Sequence, residues 1–130
     1  MRKLFALTAV MAASVTTAMA DPSGKWLTEE GETGGFAVVD ISLCDDGSGS
    51  YCGEIVEIID NENDSALGVT IITGMEDRGN GRYRGGRIYA PDQDQWYNSR
   101  MNIESDGTLA VYGCVAGGLI CRGQTWTRVQ

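Results

Sequence analysis

Turn-forming residues recur along this chain about every ten positions, at Glu30 to Gly34, Asp45 to Ser50, Asp60 to Ser65, Asp77 to Gly81, Pro91 to Gln95, Ser105 to Gly107 and Ala116 to Gly118. Gly, Asn, Asp and Pro at that spacing leave room only for short extended segments between them. Seven turns separate eight segments rich in Val, Ile, Thr, Tyr and Trp. None of these holds a helical apolar period for the roughly eleven residues a helix needs. The period is two instead. Tyr97, Met101 and Ile103 fall on one face, and Trp96, Asn98, Arg100 and Asn102 on the other. Leu109, Val111 and Val115 likewise oppose Thr108, Ala110 and Tyr112. The segment Gly53 to Ile59 carries apolar residues on both faces, which leaves its orientation open. An all-β fold follows. Because exposed strand edges invite aggregation, a small up-and-down antiparallel β-barrel of about eight strands is the economical architecture, with a two-sheet sandwich as the alternative. Gly85-Gly86 inside the segment from Tyr83 to Ala90, and Gly113 in the next-to-last segment, suit the coiling that closure demands. Eight strands enclose side chains or one small ligand, so a small cavity is expected.

The chain opens with Arg2 and Lys3, an apolar stretch from Leu4 to Val15 broken only by Thr8 and Ser14, and Ala18-Met19-Ala20. A positive start, a short apolar run and a small-x-small site form an export leader, here residues 1–20, removed to leave residues 21–130 as one domain. The run is shorter than the roughly 20 apolar residues of a membrane span. Asp21, not Cys, follows the cut, so no lipid anchor is expected. The expected destination is the periplasm or the medium, where thiols oxidise. Cys44, Cys52, Cys114 and Cys121 lack the C-x2-C spacing of zinc ribbons and read as disulfides. Four cysteines allow three connectivities. A two-residue turn at Gly117-Gly118 sets Cys114 opposite Cys121, and a three-residue loop at Gly47-Ser48-Gly49 sets Cys44 opposite Cys52. Pairing 44 with 52 and 114 with 121 is therefore expected, each bridge contributing about 2 to 3 kcal/mol.

Ten Lys+Arg face 18 Asp+Glu, a net charge of -8, and loss of Arg2 and Lys3 with the leader brings it to -10. That surface repels phosphate backbones and disfavours nucleic-acid binding. Histidine is absent, which removes imidazole metal ligands and every Ser-His or Cys-His arrangement. No nucleophile stands beside a base, so no enzyme, catalytic residue, cofactor or metal is expected. Asp60-Asn61-Glu62-Asn63-Asp64 begins like a calcium loop, but the sixth position lacks Gly and the twelfth is Ile71, so it reads as a hairpin tip. Asp45-Asp46 and Asp92 with Asp94 sit on turns and read as turn formers.

Several segments carry a family resemblance. Gly24-x-Trp26 in the first strand with Arg128 in the last is similar to the calycin pattern of lipocalin-type barrels, where a cation packs over an indole face. Those residues, with Cys52-Gly53-Glu54-Ile55-Val56, Gly68-Val69 to Gly74-Met75, Gly86-Arg87-Ile88-Tyr89-Ala90-Pro91, Tyr97 with Met101, and Gly123 to Arg128, resemble in order the bacterial exported domain-of-unknown-function 2147 family. Ala90 stands where that family usually has Asp, and Gln95 where it tends to have Gly. The resemblance implies a lipocalin-like barrel in the cell envelope and supplies no activity.

Two functions fit such a barrel. One is binding of a small hydrophobic or amphipathic molecule, for which Trp96, Tyr97 and Arg100, with Tyr89, are the candidate ligand contacts: aromatic rings beside a planar cation. The other is a non-catalytic envelope interaction or structural protein whose barrel is filled by its own side chains. Its candidate outer surface is the cluster Arg82, Arg84 and Arg87, in which Arg82 and Arg84 share a face and Arg87 points with Tyr83 and Tyr89 if the strand is regular. Trp26, Trp126 and Arg128 are expected to be structural.

Overall fold

The computed structural model describes residues 21–129, so the expected leader lies outside the described residues. Eight strands follow one another: β1 (Gly24–Leu27), β2 (Phe36–Leu43), β3 (Tyr51–Ile59), β4 (Thr70–Asp77), β5 (Arg82–Ala90), β6 (Gln95–Ile103), β7 (Leu109–Val115) and β8 (Ile120–Val129). Each pairs antiparallel with the next, and β1 closes onto β8 with Trp26 opposite Arg128, giving a closed up-and-down barrel. Every turn anticipated from the sequence is a strand connection. The barrel has no free edge, which removes the hazard of an open sheet.

Trp26, Val39, Ile41, Ile55, Ile72, Met75, Tyr83, Met101, Leu109, Val111 and Trp126 form the buried core. Alternation delivers most of them to the interior, and four register shifts deliver the rest. Between β2 and β3 the shift falls at Val38/Val39, where Val38 pairs with Glu57 and Val39 with Ile55, leaving Val56 as the extra residue. That bulge resolves the ambiguous segment, because Ile55 is buried and Val56 and Glu57 are exposed. A second shift, between Gly53 and Glu54, leaves both Ile71 and Ile72 buried. A third lies between Tyr51 and Gly53, which pair with Met75 and Ile72, and the fourth between Tyr83 and Gly86, where Gly85 takes φ +79°. Gly86 faces inward so closely that a Cβ there would stand 2.7 Å from both the Met75 sulfur and the Thr73 carbonyl. The double glycine is thus a corner of the barrel.

This bulge corrects the expected orientation of Arg87. Inserting one residue reverses the phase, so Tyr83, Gly86 and Ile88 point in, while Arg82, Arg84 and Arg87 all lie on the outer wall. Arg84 donates to the carbonyls of Tyr83 and Met101 and to Asn102 Oδ1, at 2.9 to 3.0 Å.

Both disulfides form as anticipated, Cys44–Cys52 and Cys114–Cys121. The second comes from the expected register, Cys114 opposite Cys121, although a 3-10 turn over Ala116–Gly118 replaces the tight two-residue turn. The first comes from a different register. Cys52 stands opposite Ser42, and Cys44 donates its N–H to the Ser50 carbonyl, so the bridge is diagonal across a wider loop. An Asx turn in which Ser48 N–H donates to Asp46 Oδ1 shapes that loop.

Candidate functional site

The two ends of the barrel are filled differently. At the end bearing the β2–β3, β4–β5 and β6–β7 loops, large side chains meet in the interior: Trp26, Tyr51, Met75, Tyr83 and Met101. Tyr51 and Tyr83 pack edge to face with centroids 5.6 Å apart. Burial, then the negative charges of Asp77 and Asp21 together with the Tyr51 phenol, pushes the Tyr83 phenol up to about 12. Beneath them the Arg128 guanidinium lies 4.2 Å from the Trp26 ring centroid. It donates to the carbonyls of Ser23 and Asp21, at 2.8 and 2.9 Å, while Trp26 Nε1 donates to the Pro22 carbonyl at 2.8 Å. Gly24 completes the assembly, since it holds φ +124° and a Cβ there would stand 2.9 Å from an Arg128 nitrogen. This is the physical content of the Gly-x-Trp…Arg pattern: the cation pins the segment before β1 across the base.

The other end is open. A cavity of about 1070 Å³ enters between the β1–β2, β3–β4, β5–β6 and β7–β8 connections, larger than the small void expected from the chain length. Its apolar walls include Ala37, Ile55, Ile58, Ile71, Ile88 and Val111. Trp126, buried, also lines it and donates from Nε1 to Gln124 Oε1 at 2.8 Å. Here inward positions carry small side chains, Ala37 and Gly113 among them, where the closed end has Trp, Tyr and Met. The void follows from that substitution of volume, not from a change of topology.

Of the residues singled out from the sequence, Tyr97 lines the cavity, and its hydroxyl is hydrogen-bonded to Gln93 Oε1 on the rim. Tyr89, at the end of β5, reaches the rim and donates to Asp94 Oδ1 at 2.6 Å, a bond that raises its phenol above the usual value. Trp96 and Arg100 are elsewhere. Adjacent strand residues face opposite sides, so Trp96, 38% exposed, lies on the outer wall between Tyr89, 5.1 Å away, and the Arg87 guanidinium, 5.5 Å away. Arg100 also lies outside, 4.6 Å over the Tyr112 ring and 3.3 Å from Cys121 Sγ. The structure therefore turns Tyr97 into the bore, sets Tyr89 at the rim against the outward Trp96, and places Arg100 apart on the outer wall, so the four do not form one pocket. Sequence reasoning missed Ala37, Ile88, Val111 and Gly113 as wall residues. Alternation marks Val111 as inward, but nothing in one sequence says that the space before it is empty.

The mouth has a distinct lip at the β7–β8 hairpin, where Val115, Leu119 and Ile120 are 44%, 87% and 64% exposed, and Val115 and Ile120 line the opening. Beside it, across the β8–β1 seam, stands the β1–β2 connection, tied down by Glu29 Oε2 accepting from Thr125 N–H at 2.6 Å and by Asn61 Nδ2 donating to the Gly34 carbonyl at 2.9 Å. Among the described residues no cluster of His, Cys, Asp and Glu is arranged to hold a metal ion, and no helix is long and apolar enough to cross a membrane.

A family model described as "Uncharacterized protein conserved in bacteria (DUF2147)" matches residues 24–128. Among solved structures the chain is similar to one titled "Protein HP1028 from the human pathogen Helicobacter pylori belongs to the lipocalin family", at 18% identity and a TM-score of 0.70, covering 85% of this chain and 84% of that one. At that identity the likeness is one of fold. No curated protein matches.

Proposed function

Because the chain belongs to the DUF2147 family and folds as a lipocalin-like barrel, we propose that it is a non-enzymatic carrier or sensor that holds one small amphipathic molecule inside the open half of the barrel. The observation that carries this reading is the cavity of about 1070 Å³, walled by aliphatic and aromatic side chains and open to solvent at one end only. Pockets of several hundred Å³ with mostly apolar walls and a few polar groups at the entrance are the usual form of small-molecule sites. The ligand body would lie against Ile55, Ile88, Val111, Tyr97 and Trp126, with its polar end at the mouth near Tyr89, Gln93 and Gln124. Trp96 and Arg100, on the outer wall, act on this site only through Tyr89 and the Cys114–Cys121 hairpin. Export by way of residues 1–20 belongs to the same reading, supported by two disulfides.

A second reading places the function on the outer wall, favoured by Arg82, Arg84, Arg87 and Arg100 gathered on β5 and β6. Among the described residues none of the four has a carboxylate within 4 Å.

Filling the cavity separates the two. A Cβ at Gly113 would meet only ordinary contacts, 3.4 Å from Ile88 and 3.5 Å from Tyr97, so Gly113→Phe directs a ring into the void; Ala37→Phe does the same from β2. With N-phenyl-1-naphthylamine as the fluorescent probe, the wild-type chain should bind at a one-to-one ratio and both variants, checked for folding by their circular dichroism, should lose binding. Retained binding in both folded variants would refute the interior site.

A further inference from the structure

The loops at the open end are one-signed. The connections 28–35, 60–69, 91–94 and 116–119 hold Glu29, Glu30, Glu32, Asp60, Glu62, Asp64, Asp92 and Asp94, eight of the chain's 18 acidic residues, and no Lys or Arg. Four of these carboxylates, Glu29, Glu30, Glu32 and Asp92, line the cavity mouth. One cation also lines it, Arg122, and Glu32 holds it at 3.6 Å. The remaining arginines are turned away. Arg87 and Arg100 lie over Trp96 and Tyr112 on the outer wall, and Arg128 is committed to Trp26 at the closed end.

Behind this ring lies an apolar cavity. Low-dielectric walls focus the field of surrounding charges into the opening between them, so a charged group at the mouth experiences the carboxylates more strongly than it would on an open surface. An anionic head would enter against that field and meet no free cation. A neutral head gains nothing from it. An ammonium gains on arrival and on binding, and its apolar body still reaches Ile55, Ile88 and Val111.

We infer that the ligand of the cavity is a cationic amphiphile, an apolar body carrying an amine or quaternary ammonium head that rests among Glu29, Glu30 and Asp92. The inference rests on the interior-binding reading above and names its ligand class.

Three probes of one chain length test it: dodecylamine, protonated at pH 7, dodecanol and dodecanoate, each measured by displacement of N-phenyl-1-naphthylamine from the full domain. Dodecylamine should bind about tenfold or more tighter than dodecanoate, with dodecanol between them. Raising the salt from about 0.02 M to about 0.5 M should collapse that difference, because exposed charges are screened over a few ångströms there. The double variant Glu30→Gln with Asp92→Asn should reduce the ratio about threefold or more. Asp45→Asn with Glu104→Gln, an equal change of net charge at the closed end, should leave it unaltered. If all three probes bind alike, or dodecanoate binds best, the charge inference falls while the interior site stands. If both double variants reduce the ratio equally, the selectivity belongs to net charge and the mouth assignment falls. If the dye binds and no probe displaces it, a chain-like cationic ligand is excluded; if the dye itself fails to bind, the interior reading fails first.

Discussion

The closed and open ends of this barrel share the same eight strands and the same antiparallel pairing, yet one is a packed core and the other a cavity. The closed end stacks Trp26, Tyr51, Met75, Tyr83 and Met101 across its bore and bolts the chain segment before β1 underneath with Arg128. The open end presents Ala37, Gly113 and Val111 to the same bore and leaves about 1070 Å³ unfilled. In a small barrel the radius is set by strand number and stagger. Whether the bore holds protein or ligand is then decided by the volume of a few inward side chains. Stability should therefore concentrate at one end and recognition at the other.

The sharpest way to break that comparison is to delete one inward side chain from each end. Trp26→Ala removes a fully buried indole, orphans the Pro22 carbonyl it bonds and strips the Arg128 guanidinium of its ring. It should cost about 3 to 5 kcal/mol in urea unfolding. Val111→Ala only widens a void that already exists and should cost about 1 kcal/mol. Equal losses at the two positions would mean that the open half is as tightly packed as the closed one.

How much of this asymmetry was legible beforehand depends on the residues that set it. The turns could be read because Gly, Asn, Asp and Pro have local reasons to be there, and the barrel followed from turn count and alternation. The Cys114–Cys121 bridge followed because a hairpin register is a local property. The Cys44–Cys52 register was not recoverable, since residues 45–49 form a wider loop in which Gly47 and Gly49 both take positive φ. The bulges at Val56 and Gly85 are harder still, because one extra residue reverses every later side chain, and this carried Arg87 to the outside. The site was least legible. Trp96 and Arg100 attract attention as residue types, but their neighbour Tyr97 owns the inward position. The cavity itself is made of what is missing opposite Ile88 and Val111, which no single strand encodes.

Alkali probes the closed end at an intermediate size. The Tyr83 phenol is held at about 12 by burial first and by the carboxylate of Asp77 next. Unfolded tyrosine titrates near 10. Below pH 10 both states keep the proton and the full stability is present. Between 10 and 12 the unfolded chain releases it and the folded chain does not, so stability falls by about 2 to 3 kcal/mol over that window. Unfolding by denaturant at stepped pH should show the decline, and Tyr83→Phe should flatten most of it. A decline of the same size in Tyr83→Phe would assign it to other groups and not to the buried phenol of the closed end.

The smallest effect on stability is expected at the lip, and it is the one that tests the division of labour most directly. Ile120 is 64% exposed yet lines the mouth of the cavity. Its side chain holds little of the core, so Ile120→Asn should move the unfolding free energy by no more than about 0.5 kcal/mol. A ligand passing into the cavity would lose part of its apolar contact with that rim, and the dye and dodecylamine should both bind a few-fold more weakly. Binding unchanged at constant stability would place the ligand wholly below the lip, against Val111 and Trp126. Stability lost at constant binding would mean that the hairpin tip belongs to the fold and not to the site.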